Sequence, residues 1–462
     1  MPDTDLCYLS ATEASRLFRE HELSPVELMR ALIAHTEQVE PVVNAFTERL
    51  FDQALREAAR AEQRFLGNGP APRPLEGIPV ATKEKHAIAG RSLTEGSLAN
   101  LGNVAAENVP VVDRILDAGG IIHARTTTPE FSIACFTHTK LWGVTRNPWN
   151  PDYTPGGSSG GSAASLAAGT SLLATGSDIG GSTRIPAAFT GTVGYKAPYG
   201  RIPGATPLSL DHYRGDGPLA RTVDDCLAFT NVLAGPDPRD HTSLRPKQVL
   251  PEEYESVAGM RLALCVRLGD YEVHPEIAAN TRAVADALTD AGAHVDEVEL
   301  PWRRDDFAAA VSAHFATIFG AIVTEVVAEH RDKMNAYTVA FADEMAAARR
   351  QHSYLDGLRV EHQLQGQLAE GMDPFDALLC PTTAVPGIPA GDDVTDPDAM
   401  VMTAPFNVTN RCPVLNVPSG HASCGLPTGV QIVGHTYDDA TVFRVGKAVE
   451  ELRPWAYLGQ PT

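Results

Sequence analysis

Ser158 and Ser182 stand 24 residues apart, each inside a glycine-rich knot. The first knot reads Gly156-Gly157-Ser158-Ser159-Gly160-Gly161-Ser162, the second Ser177-Asp178-Ile179-Gly180-Gly181-Ser182-Thr183-Arg184. A serine hydroxyl is a weak nucleophile until a neighbouring base takes its proton, so these residues raise the question of a base. The text between them is alanine-rich and too apolar for a flexible Gly/Ser linker. Residues 163–168 read as a short buried helix and residues 172–175 as a buried strand. The glycines therefore belong to turns inside a core, where φ is positive or another group approaches the backbone closely.

Two nucleophile readings stand. Gly156-Gly157-Ser158-Ser159-Gly160 fits the G-x-S-x-G elbow of a hydrolase, which requires a buried strand directly before the serine. Asn150-Pro151-Asp152-Tyr153-Thr154-Pro155 is no such strand. Ser182, in contrast, follows a buried strand. The backbone amides of Ile179, Gly180, Gly181 and Ser182 then form a row of unhindered donors, a nest for a developing oxyanion. No histidine lies in a matching motif. Lys83 follows an apolar strand at residues 78–82. Lysines are mostly solvated surface groups, but strand ends in α/β sheets collect functional groups. Burial would lower the Lys83 pKa from about 10.4 towards neutrality, and Ser158 would relay the proton. The glycine runs lack the Gly-Lys-Ser/Thr ending of a phosphate loop and the context of a dinucleotide fingerprint, and there is no His-Glu-x-x-His. No cofactor and no metal is expected.

The elements that must position these residues alternate. Ser10 and Ser24 open helices through capping boxes, and a third helix is expected over residues 47–65. Helix 109–118, strand 121–124, strand 193–197, helix 222–233, strand 261–266, helix 275–291 and strand 294–300 follow the βα rhythm. Residues 126–155 read as a long loop and 306–370 as mostly helix. Strands at 377–381, 414–418 and 430–434 precede a closing helix at 438–452. The fold class is α/β: a mixed central sheet with helices on both faces. No internal repeat or polar linker divides the 462 residues, so one domain is expected, with a helical segment of about 1–70 packed on it.

The pattern as a whole resembles the amidase signature family, enzymes that hydrolyse amide carbon–nitrogen bonds. Both serine knots match, with their spacing. So do residues 77–83, Thr128-Pro129-Glu130-Phe131, Asn147-Pro148-Trp149 and Gly429-Val430-Gln431-Ile432-Val433-Gly434. The resemblance implies a Ser–Ser–Lys triad with Ser182 as nucleophile, Ser158 as bridge after a cis bond from Gly157, and Lys83 as base. It implies an oxyanion hole from the amides of residues 179–182, with Asp178 and Arg184 supporting the turn. The chain departs from the family at Glu84-Lys85-His86, where Asp usually follows the lysine, and at residues 135–140. The expected activity is hydrolysis of a small-molecule amide through a seryl acyl-enzyme. One alternative is the glutamine-hydrolysing subunit of a tRNA-dependent amidotransferase; Thr128-Pro129-Glu130 and residues 203–214 look less like that component. Another is a catalytically silent scaffold on the same fold, against which the intact Lys83, Ser158 and Ser182 argue.

Composition bounds the partners. Fifty-eight acidic against 37 basic residues give a net charge of −21, which disfavours direct nucleic-acid binding. No apolar run approaches the ~20 residues of a membrane helix. The N-terminus has no signal-peptide pattern, and the seven cysteines show no metal or CxxC spacing. A reduced cytoplasmic protein is expected, and the resemblance allows a homodimer. No clustered basic motif is present to clamp a carboxylate, so a neutral, small or aryl amide is expected. The pocket is expected from residues 126–142, 306–370 and 385–410.

Overall fold

The structure is a computed structural model and describes residues 3–394 and 396–458. Its centre is an eleven-stranded sheet. In chain order the strands are β1 (Phe46–Arg49), β2 (Pro79–Lys83), β3 (Ile121–Thr126), β4 (Leu173–Asp178), β5 (Val193–Lys196) and β6 (Gly215–Ala220). They continue as β7 (Arg261–Leu264), β8 (His294–Glu297), β9 (Ala377–Pro381), β10 (Val414–His421) and β11 (Pro427–Gly434). Their spatial order is β1-β3-β2-β4-β6-β5-β10-β11-β9-β7-β8. The sheet is mixed: β2 runs parallel to β3 and β4, while β6 is antiparallel to both β4 and β5.

Strand alternation explains why helices cover both faces. Leu262, Leu264, Ala377 and Leu379 enter one apolar cluster. Ala263, Cys265, Leu378 and Cys380 enter another. With both faces dry, the strands lose the polar alternation of a half-exposed sheet and read as continuous apolar runs. Leu17, Phe18, Leu28 and Leu32 of the N-terminal helices join the same cluster as Ile78 and Val80.

One expectation fails. The helix expected over residues 47–65 begins only at Phe51; Phe46–Arg49 is a strand paired with β3. The reason is local. The buried Glu40 carboxylate accepts from the amides of Ala45 and Phe46 (2.8 and 3.2 Å), which ends the preceding helix and sends the chain out extended. Strand β6 is one that the sequence pattern does not single out, because its text Gly-Asp-Gly-Pro-Leu-Ala carries two glycines and a proline. It is nevertheless interior. A side chain at Gly217 would strike the Tyr195 carbonyl oxygen of the neighbouring strand, so glycine is required there. Pro79, the proline of β2, begins its strand.

Among the described residues no single helix is long and apolar enough to cross a membrane.

Candidate active site

Lys83 is the last residue of β2, and Ser177 and Asp178 end the adjacent β4. Parallel pairing of β2 with β4 brings these strand ends together. The Lys83 Nζ lies 2.7 Å from Ser158 Oγ and 3.1 Å from both Ser159 Oγ and Ser177 Oγ. Lys83, Ser158 and Ser159 are completely buried. The Gly157–Ser158 peptide is cis. A Cβ at Gly157 would collide with the Phe136 carbonyl oxygen, so the close approach of these segments requires glycine. Ser182 is 8% exposed, and its carbonyl accepts from the Ser159 amide at 3.1 Å. Ser158, Ser177, Asp178, Ile179 and Ser182 line one small cavity of about 280 Å³.

Electrostatics favour a neutral lysine. Burial lowers the Lys83 pKa well below its usual value, and the charges of Lys85 and Arg214 lower it further, against Asp216 and Asp178. His86 is buried and bridges Thr175 Oγ1 (2.8 Å, at Nδ1) and Asp216 (3.1 Å, at Nε2). Burial lowers its pKa as well. Thr175 Oγ1 accepts the Lys83 amide at 3.0 Å. His86 thus fixes the backbone beneath Lys83. Lys85 lines the cavity itself, its pKa pulled down to about 8 by burial and by Arg214.

Asp178 and Arg184 form a buried, two-pronged ion pair, Nη2 to Oδ1 at 2.9 Å and Nε to Oδ2 at 3.0 Å. Arg184 also donates to Thr403 O (3.0 Å), Gln431 Oε1 (2.7 Å) and Asn407 Oδ1 (2.7 Å). Burial pushes the Asp178 pKa up, but the Arg184 charge and hydrogen bonds, with Asn407, outweigh it and hold it at about 2. The carboxylate accepts from the amides of Gly181 (2.8 Å) and Thr183 (3.2 Å). This corrects the row of four donors read from the sequence. The Gly181 amide is already engaged by Asp178, whereas those of Ile179, Gly180 and Ser182 have no acceptor among the described residues. Gly181 has φ +122° and packs on Thr403, so it shapes the turn rather than facing the cavity.

Other matched segments are braces. Gln431 orients Arg184. Asn147 and Trp149 donate to the carbonyls of Phe189 and Thr190 (both 2.8 Å), at the end of the helix that starts at Arg184. Buried Glu130 accepts from the Asn335 amide and side chain (2.8 Å each) and Thr338 (2.6 Å), tying the helix Ala336–Gln351 to the site. Ser159, Ser177, Thr175 and Asp216 were not singled out by sequence reasoning. Only the neighbouring serine text hinted at the first two.

An apolar cleft of about 870 Å³ adjoins the cavity, with Ser182, Ile179, Ser132 and Phe319 bordering both. Val311, Phe315, Phe341 and Met345 line it from the helical region, Cys135 from the long loop, and Val401 from the late one. All three stretches expected to build the pocket contribute. The sequence carries no clustered basic motif, yet Lys85 and Arg214 meet on the cavity wall, where Arg214 is paired with Asp216 at 2.8 Å.

The Amidase family model matches residues 27–443, and the chain belongs to this amidase signature family, whose members cleave amide carbon–nitrogen bonds. Among curated relatives it is 32% identical to a glutamyl-tRNA(Gln) amidotransferase subunit of Chloroflexus aurantiacus, over 98% of both chains. Among solved structures it is similar to a bacterial aryl acylamidase of the amidase signature family, with TM-score 0.89 and 28% identity over 98% of this chain and 99% of that one. The corresponding glutamyl-tRNA(Gln) amidotransferase subunit of Thermotoga maritima superposes with TM-score 0.76 at 25% identity, over 98% of this chain and 95% of that one.

Proposed function

We propose that the protein hydrolyses a small-molecule amide through an acyl-enzyme on Ser182. The observation that carries this reading is the buried Lys83 Nζ at 2.7 Å from Ser158 Oγ, with Ser158 and Ser182 on one cavity. A neutral amine accepts the Ser158 proton through its lone pair while donating its own hydrogens to Ser159 and Ser177. Ser158 in turn draws the proton from Ser182, which attacks the amide carbonyl. The amides of Ile179, Gly180 and Ser182, which no described backbone carbonyl engages, would donate to the oxyanion. The proton returns along the same relay to the leaving amine, and water then releases the acid. The aromatic cleft beside Ser182 suits a substrate with an aryl or bulky apolar group.

A second reading has its own support. Identity of 32% along almost the full length of a glutamyl-tRNA(Gln) amidotransferase subunit favours glutamine as substrate, with partner subunits that use its ammonia. Glutamine is small and polar and leaves the aromatic cleft unused. One experiment separates the readings: fluorophosphonate labelling with peptide mapping, followed by assay of the isolated chain on aryl amides and on glutamine. Label on Ser182 and aryl-amide turnover are expected. Label on Ser158 overturns the relay. Glutaminase activity alone, or copurification of stoichiometric partner subunits, favours the second reading.

A further inference from the structure

Outside the catalytic cavity, His212, His314 and Glu361 bring one ligand atom each to within 4.8 Å of one another. They come from three chain segments. His212 precedes β6, His314 lies on the helix Arg304–Thr317, and Glu361 on the helix Tyr354–Met372. We propose that these three residues form a divalent-cation site, for Zn²⁺, that braces the approach to β6 against the two helices.

His314 is 1% exposed. Its Nε2 lies 2.7 Å from Asp211 Oδ1 and so carries the proton, donating to the carboxylate. The other ring nitrogen, Nδ1, has no hydrogen-bond partner among the described residues. A buried polar atom left without a partner is costly. Metal-ligating histidines almost always donate the other ring N–H to a carboxylate, which fixes the tautomer and the ring, and this is the arrangement here.

The carboxylates give the second, independent reason. Asp211 and Glu361 are 1% and 4% exposed, and among the described residues their charged partners are the two histidines alone. A divalent cation between them would offset these two buried carboxylates. Tyr213 donates to Glu361 Oε1 (2.6 Å) and stacks on His314 at 3.7 Å, so both ligands are held in place. His212 Nε2 lies 3.3 Å from Glu361 Oε2, and His314 Nδ1 lies 3.8 Å from Glu361 Oε1. Tetrahedral zinc with bonds near 2.0–2.1 Å sets its ligand atoms about 3.3 Å apart, so small side-chain movements close the shell. His212 is half-buried and borders a cleft of about 820 Å³. Two imidazoles and a carboxylate suit Zn²⁺ over Ca²⁺ or Mg²⁺, which take oxygen ligands. The brace reaches the catalytic centre: Asn407 Nδ2 donates to both Tyr213 O (3.0 Å) and Asp178 Oδ1 (2.8 Å).

The test is calorimetric titration of the chelator-treated full-length chain with ZnCl₂, with thermal unfolding followed in parallel. One equivalent should bind, and the Tm should rise by about 3 °C at a hundredfold excess over Kd. His212→Ala and Glu361→Gln should each weaken binding at least a hundredfold, and Asp211→Asn about 10–100-fold. Co²⁺ in place of Zn²⁺ should give the visible absorption of a four-coordinate site in the unmodified chain, lost in His212→Ala. His212 is the ligand on the cleft, so its variant is the one expected to keep the zinc-free Tm. Absence of binding to the unmodified chain, or full affinity retained in both ligand variants, overturns the site and leaves the cluster a histidine–carboxylate hydrogen-bond network.

Discussion

Lys83 Nζ and Ser158 Oγ lie 2.7 Å apart with both side chains sealed from solvent. Burial there disfavours the ammonium, so folding and titration are linked. The Lys83 pKa is depressed in the folded chain, and the unfolded chain therefore binds the extra proton over the window between that value and about 10.4. Stability from this group is complete above about 10.4 and is lost as pH falls towards the folded pKa, at up to about 1.4 kcal/mol per pH unit. Lys83→Met should remove that slope from denaturant titrations in the mildly alkaline range. It should also lower kcat/KM by about 10³-fold or more. Near-normal turnover in this variant would remove lysine as the base.

Lys85 tunes its neighbour. Its positive charge is the second cause, after burial, of the low Lys83 pKa. Lys85→Met should therefore raise the Lys83 pKa and move the acid limb of the kcat/KM profile to higher pH. The shift should be greatest below about pH 8, where Lys85 is charged. An unmoved limb in this variant would show that the profile reports another group.

Adjacent glycines at 180 and 181 should behave differently. A Cβ at Gly180 meets nothing within 4 Å, while one at Gly181 would collide with Thr403 at a φ of +122°. Gly181→Ala should lose both stability and activity. Gly180→Ala should keep its Tm and lose activity, because the methyl group enters the cleft that Gly180 lines. Paired thermal melts and rates check this; equal loss of Tm in both would place Gly180 in the turn's support instead.

How far the site could be read in advance depended on whether its causes were local. The candidates Ser158 and Ser182 stand out in the text because turns that need glycine leave glycine there, and Lys83 because an apolar strand ends at it. The loss of the Gly181 amide to Asp178 was not, since a carboxylate three residues away could equally have faced solvent. Lys85 and Arg214 are far apart in sequence, and they meet only because β4 lies between β2 and β6. That neighbourhood was hidden because β6 contains Gly215, Gly217 and Pro218, whose local preference is for turns, and tertiary pairing overrides it. Strand β1 was hidden for the opposite reason: its Phe-Thr-Glu-Arg text continues smoothly into a good helix.

The Asp178–Arg184 pair should govern acid stability. The Asp178 pKa is depressed from 3.8 to about 2, so its contribution is present above about 3.9 and is lost as pH falls towards 2. Asp178→Asn should remove that part of the acid transition. Arg184→Met leaves a buried carboxylate unpaired and should cost about 3–5 kcal/mol in denaturant unfolding. Arg184→Lys should recover little, because one ammonium cannot replace a fork that reaches Asp178, Thr403, Gln431 and Asn407 together. Full recovery by lysine would mean that charge alone, and not the fork, holds the turn.

Phe319 borders both the catalytic cavity and the apolar cleft, so it separates the two substrate readings. Removing a buried phenyl ring forfeits roughly 1.5–3 kcal/mol of apolar contact with any group that packs on it. That corresponds to about a tenfold or greater fall in kcat/KM. Phe319→Ala should impose this fall on aryl amides and leave the simplest aliphatic amides little changed, since those reach Ser182 without filling the cleft. A glutamine-hydrolysing site would show neither effect, because a short polar side chain gains nothing from the ring. Equal losses on every amide would show that Phe319 holds the fold around Ser182, and would remove the aromatic cleft from the account of specificity.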